Sequence, residues 1–156
     1  ASQGGHQEIV KLLLNKEADV NAQGGNYGNA LQAASWGGHQ EIVKLLLNKE
    51  ADVNAQGGYY GNALQAASWG GHQEIVKLLL NEEADVNAQG GHYGNALQAA
   101  SWRGHQEIVK LLLNKEADVN AQGGLYGNAL QAASQGGHQE IVNLLQRTGA
   151  IAMPSP

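Results

Sequence analysis

Five apolar residues, Ile42, Val43, Leu45, Leu46 and Leu47, are interrupted by Lys44 and bounded by Gln40-Glu41 on one side and Asn48 on the other. At helical periodicity this order predicts a helix from about Gln40 with one broad apolar face, and it places Glu41 and Lys44 three residues apart on the wet side. Upstream, Asn29 to Ser35 is short and Ala-rich. Asn29 is followed three residues later by Gln32, which predicts a second helix opened by a capping box. The Gly24-Gly25 pair ahead of it reads as a hairpin turn.

The pattern then repeats. The segment opening Gly-His-Gln-Glu-Ile-Val starts at Gly5, Gly38, Gly71 and Gly104, with a decayed copy at Gly137, a fixed period of 33 residues. One pair of helices cannot bury the apolar face alone, whereas stacked copies can, with neighbouring helices expected ~10 Å apart. The last copy changes where a following copy would matter: Gln146 stands where Leu113 stands earlier, and Asn143 where Lys110 does. It reads as a terminal cap. At the other end Ala1-Ser2-Gln3 aligns with Ala34-Ser35-Trp36, so the first short helix is nearly all missing. That end is expected to be open to end-to-end self-association, and the chain reads as cut from a longer one, since it begins with Ala1 and its only Met is Met153. The loop after the longer helix carries Glu17, Glu50, Glu83 and Glu116, where the last copy has Gly149. If that site is left-handed, each Glu costs up to ~1 kcal/mol relative to Gly.

Composition narrows the function. Within the repeats the longest unbroken apolar runs are Leu triplets such as Leu12 to Leu14, far short of the ~20 residues of a membrane span. Nine basic residues face fourteen acidic ones, and Lys11, Lys44, Lys77 and Lys110 each follow a Glu by three residues, which leaves no basic stripe for nucleic acid. With no Cys and no Asn-X-Ser/Thr sequon, disulfides and thiolate metal sites are excluded and a cytoplasmic location is expected. His6, His39, His72, His105 and His138 recur at the period, but copies ~10 Å apart cannot share an ion whose nitrogen ligands sit ~2 Å away. They are expected to pack and hydrogen-bond at the start of each longer helix. Asp19, Asp52, Asp85 and Asp118 read as loop hydrogen-bonders. Ser35, Ser68, Ser101 and Ser134 lack the strained turn of a nucleophile, and the glycine pairs lack the Lys and Ser/Thr of a phosphate loop. No catalytic, cofactor or metal site is predicted.

Among the repeated columns, four vary. They are Asn26/Tyr59/His92/Leu125, Trp36/Trp69/Trp102/Gln135, Gly37/Gly70/Arg103/Gly136 and Lys16/Lys49/Glu82/Lys115. Only the first differs in every copy, although random drift would scatter changes. That column is expected at a loop tip, with the Trp and Gly/Arg columns ending the shorter helix on the same concave side. The Trp residues form either an exposed recognition row at ~10 Å intervals or a packed one, each ring folding over the adjacent Tyr27, Tyr60 or Tyr93.

The 33-residue period, with Gly-His opening the longer helix and Ala-Asp-Val-Asn-Ala closing it, resembles the ankyrin repeat over residues 1–151. Where that family usually opens its first helix with Thr-Pro-Leu-His, this chain has Asn29-Ala30-Leu31-Gln32, keeping only the Leu. The wording Tyr-Gly-Asn-Ala-Leu-Gln-Ala-Ala-Ser is similar to the ankyrin arrays of fungal NOD-like (NACHT/NB-ARC) receptors. The resemblance implies an all-α solenoid of stacked helix-turn-helix units with β-hairpin loops. Its units would be a partial one at 1–22, full ones at about 23–55, 56–88 and 89–121, and a capping one at 122–151, followed by a flexible tail at 152–156. It further implies a non-catalytic module binding a protein or peptide, the ligand-sensing region of a larger fungal receptor. Asn26, Tyr59, His92 and Leu125 match the family's finger tips, and Trp36, Trp69, Trp102, Gln135 and Arg103 match the end of its inner helix. The rival readings are an engineered scaffold without a natural ligand and a self-assembling stack.

Overall fold

The computed structural model describes residues 1–16 and 18–151. Glu17 and the tail at 152–156 lie outside the described residues. Two kinds of helix alternate. The longer, outer helices are α1 (Gln7–Asn15), α3 (Gln40–Asn48), α5 (Gln73–Asn81), α7 (Gln106–Asn114) and α9 (Gln139–Arg147), and the shorter, inner ones are α2 (Ala30–Gly37), α4 (Ala63–Gly70), α6 (Ala96–Arg103) and α8 (Ala129–Gln135). Among the described residues there is no strand, and each hairpin is reduced to one bridge, such as Gly24 with Gly28. The chain is an all-α repeat solenoid of helix-turn-helix units. No described helix is long and apolar enough to cross a membrane.

Each inner helix starts because an Asn side chain accepts a hydrogen bond from the third backbone N–H of the helix, as Asn62 does from Gln65 at 2.8 Å. This satisfies one of the donors a helix start leaves free. The helix runs past Ser35 to Gly37, further than the Ala-rich letters suggest, and turns at Gly38 with φ 78°. Only half of the expected capping box forms. The Gln32 side chain does not return to Asn29; its Nε2 donates to the Ala55 carbonyl at the end of its unit and to the Gly61 carbonyl of the following repeat, at 3.2 and 3.1 Å. Gln65 likewise donates to Gly90 and Gly94, at 2.9 and 3.3 Å.

The inner helices stack in sequence, α2 on α4 on α6 on α8, and each outer helix from α3 onward leans on the inner helix of its own unit, while α1 rests on α3. Alanine makes the close stack feasible: Ala66, Ala67, Ala99 and Ala100 are fully buried at the helix contacts. Beneath them Leu31, Ile42, Val43 and Leu46 join their counterparts Leu64, Ile75, Val76 and Leu79, and so on to Leu145, in one core that runs the length of the stack. Glu41–Lys44, Glu74–Lys77 and Glu107–Lys110 pair on the exposed outer face at 3.2–3.3 Å, where such pairs contribute little. The two ends differ. Ile9, Leu12 and Leu13 are half exposed or more, whereas the interior counterparts Ile42 and Leu46 are buried. Gln146 is exposed, but Leu113 is half-buried.

A second row of bonds joins the loops after the outer helices. Asp52 Oδ1 accepts from the Asn54 N–H at 3.0 Å, the loop role expected of it. Asn21 Oδ1 accepts from the Asp52 N–H of the next unit at 2.7 Å, and Asn54 repeats the contact to Asp85. Glu50, Glu83 and Glu116 take φ of 65–67°, and Gly149 takes 100°. The site is left-handed, and three glutamates occupy it at a cost that glycine avoids. Because what the neighbouring Asn holds is the backbone carbonyl of Glu50 or Glu83, glycine keeps that bond. Glu50→Gly with Glu83→Gly is expected to raise stability by about 1–2 kcal/mol in total, read as a higher urea midpoint at unchanged slope. A lower midpoint would show that the glutamate side chains hold the stack in some other way.

Candidate recognition surface

Each hairpin is closed by a backbone bond, such as Gly57 N–H to the Gly61 carbonyl at 2.9 Å. Its second glycine is fixed by the neighbour: a Cβ on Gly58 would lie 2.6 Å from the Gly28 nitrogen and 2.7 Å from the Asn26 carbonyl oxygen. That approach lets the tips bond to one another through the backbone. The Tyr59 N–H donates to Asn26 at 2.7 Å, His92 to Tyr59 at 2.8 Å and Leu125 to His92 at 3.0 Å. The four residues of the most variable column thus form a single ladder, one rung per repeat, with their side chains exposed. The Tyr59 and His92 rings stack at 4.5 Å.

Two of the three tryptophans are closer together than the expected ~10 Å. Trp36 and Trp69 stack at 6.3 Å, because small residues at the helix contacts let planar rings lie face to face. They are half-buried rather than a free row. Each sits between two tyrosines, Trp69 at 5.3 Å from Tyr60 and 6.3 Å from Tyr93, and Trp102 at 5.9 Å from Tyr93 and 5.7 Å from Tyr126. Tyr27, Tyr60, Tyr93 and Tyr126 themselves stack at 6.2–6.5 Å. Gln135 replaces the ring in the last unit and is exposed.

The invariant tyrosines connect what varies. Tyr59 meets Tyr60 edge-on at 5.1 Å and Tyr93 at 6.0 Å, and His92 meets Tyr93 at 5.6 Å. One aromatic patch therefore runs from the tips through Tyr60 and Tyr93 to Trp69, and Arg103 lies over the Trp69 ring with Cζ 4.1 Å from its centroid. The packed reading names these tyrosines as partners of the Trp rings, and the contacts are present; comparison among the copies leaves them out of the recognition surface because they do not vary. Burial raises the phenols above their ordinary range, Tyr93 to about 12, with the Tyr59 side chain acting in the same direction. At neutral pH the Tyr60 and Tyr93 phenols are uncharged.

Four of the five repeated histidines take the structural role expected of them, and His6, in the partial first unit, is exposed. Nε2 of His39, His72 and His138 lies 2.8 Å from the carbonyls of Gln3, Trp36 and Trp102 in the preceding repeat, and His105 lies 3.0 Å from that of Trp69. The ring N–H donates and the carbonyl accepts. Glycine precedes this contact because a Cβ on Gly70 would stand 2.6 Å from the His72 ring and 3.0 Å from the Trp36 oxygen. Arg103 breaks that rule, and the one lengthened histidine bond is beside it. Burial above all holds the His105 imidazole below its ordinary range, against its carbonyl bond and with help from Arg103. Among the described residues no group of His, Asp and Glu is arranged to hold a metal. Ser35, Ser68 and Ser101 are fully buried in the stack.

Charge is segregated. Residues 23–39, 56–72, 89–105 and 122–138, the hairpins and inner helices, contain none of the fourteen acidic residues and, of the nine Lys and Arg, only Arg103. No curated protein matches the chain. The family model for ankyrin repeats, in three copies, matches residues 1–57 and 64–153. Period, alternating helices, stacked inner layer and this match agree, and the chain belongs to the ankyrin repeat family, whose repeats are non-catalytic protein-interaction modules.

Proposed function

We propose that the stack recognises a protein or peptide on its concave face, through the tips Asn26, Tyr59, His92 and Leu125 and the inner-helix ends Trp36, Trp69, Trp102, Arg103 and Gln135. The observation that carries this reading is convergence: Tyr59, His92, Trp69 and Arg103, from three variable columns, meet in one aromatic patch. Exposed aromatics beside Arg are the composition of binding hot spots. The scaffold beneath is held by repeated bonds, so little order is left to impose on binding, and tip changes can alter the ligand while the stack stays fixed. The similarity of its repeat wording to fungal NOD-like receptor arrays supports a place as the sensor region of such a receptor, in the cytoplasm. Half-exposed Ile9, Leu12 and Leu13 favour a second reading, end-to-end assembly, and a mass that rises with concentration would support it. The near-identical copies also suit an engineered scaffold.

Peptides selected from a displayed random library give the recognition reading a direct test. Changing Tyr59, His92 and Leu125 together to Asn, the residue at Asn26, is expected to shift stability by no more than about 1 kcal/mol and to abolish binding of peptides selected on the parent. Glu41→Ala with Lys44→Ala should bind them unchanged. The reverse pattern would place recognition on the outer face. Trp69→Ala should cost about 2 kcal/mol or more in urea unfolding, because its ring is sandwiched between Tyr60 and Tyr93. A loss of binding with unchanged stability would return Trp69 to the exposed row.

A further inference from the structure

We propose that the partner presents a carboxylate, an aspartate or glutamate side chain, to Arg103 where its guanidinium lies over Trp69. This rests on the recognition reading and specifies the chemistry of the partner at one point of the patch. Three observations support it. The hairpin and inner-helix segments hold a single full charge, and it is positive, while every acidic residue falls outside them. An acidic segment approaching that face meets no like charge there, and an approach to the outer face meets many.

Arg103 is also costly where it stands. In the other units the column is glycine, and a Cβ on Gly37 would lie 2.6 Å from the His39 ring and 3.1 Å from the Gln3 oxygen. At Arg103 the neighbour has given way, since the His105 bond to the Trp69 carbonyl is 3.0 Å and its three counterparts are 2.8 Å. The stack does not need this side chain. Among the described residues no carboxylate answers it, for the ion pairs are those of Glu8, Glu41, Glu74 and Glu107 with the Lys three residues on.

Stacking on an indole holds the guanidinium flat and leaves its edge donors free for two parallel bonds to a carboxylate. The surrounding rings of Tyr60, Trp69 and Tyr93 are uncharged and lower the local polarity, which strengthens such a pair. Apolar residues flanking the acid would find the tips Tyr59 and Leu125 exposed. The partner that fits is an acidic segment with apolar neighbours.

The test uses a displayed random peptide library selected in parallel on the full chain and on Arg103→Gly, which installs the residue of the other three units and should unfold at no lower urea concentration than the parent. Peptides selected on the parent should be enriched in Asp and Glu, and those selected on Arg103→Gly should not. A parent-selected peptide should bind Arg103→Gly about tenfold more weakly or worse. Converting its acid to the amide should lose the same factor on the parent and nothing more on Arg103→Gly. Arg103→Lys, which keeps the charge without the fork, should retain part of the preference. Equal enrichment on both chains, or amide peptides that bind as tightly as the acids, would overturn the inference while leaving recognition intact if the tip triple variant still abolished binding. Selection that yields no binder sensitive to the tips would overturn both.

Discussion

Each repeat presents polar groups that only its neighbour can satisfy, and the stack depends on that constraint. Gln65 is completely buried, and its Nε2 finds acceptors only in the carbonyls of Gly90 and Gly94, one repeat on. His72 reaches back to the Trp36 carbonyl, and Asn54 reaches forward to Asp85. A buried donor left without a partner costs about 1–3 kcal/mol, more than a formed bond contributes. Spacing between units is thereby fixed from three sides, and the apolar core fills what lies between.

The same constraint explains which letters repeat and which do not. Gln32, Asn21 and His39 bond across units through their side chains, and their columns are invariant. Tyr59 and His92 contribute only backbone atoms to the tip ladder, and Trp36 and Trp69 only their carbonyls to the histidines. The tip side chains are released from the scaffold and can differ, whereas the Trp rings stay packed between tyrosines. At the tips variation therefore collects where the stack makes no demand on side-chain identity, and the face that results is aromatic, nearly uncharged and centred on the second and third full units.

Much of this was legible in the letters. The period, the apolar face of Ile42 to Leu47 and the Asn29 cap identify stacked helix pairs without further information, and the alignment of Glu50 with Gly149 points to the left-handed turn. Gln32 misleads because position three of a helix serves both a capping box and a bond to the next repeat, and only the burial of that position separates them. The Trp36–Trp69 spacing departs from the general helix separation because large side chains can lean toward each other across Ala-lined contacts, and their rings meet at 6.3 Å. Tyr60 and Tyr93, expected only as packing partners of the Trp rings, also join the tips to Trp69, and their invariance keeps them out of the expected surface, since comparing copies reveals only what changes.

The stack offers an internal control for its central claim. Gln65 and Gln131 share the surrounding sequence Asn-Ala-Leu-Gln-Ala-Ala-Ser, but Gln65 is buried against a following hairpin and Gln131 is exposed. Urea unfolding of Gln65→Ala and Gln131→Ala compares one substitution with and without a neighbour. If inter-repeat bonding by Gln governs the stack, Gln65→Ala loses about 1–3 kcal/mol and Gln131→Ala shifts stability by no more than ~0.5 kcal/mol. Equal losses at both positions would contradict the account, since Gln would then be acting within its own repeat.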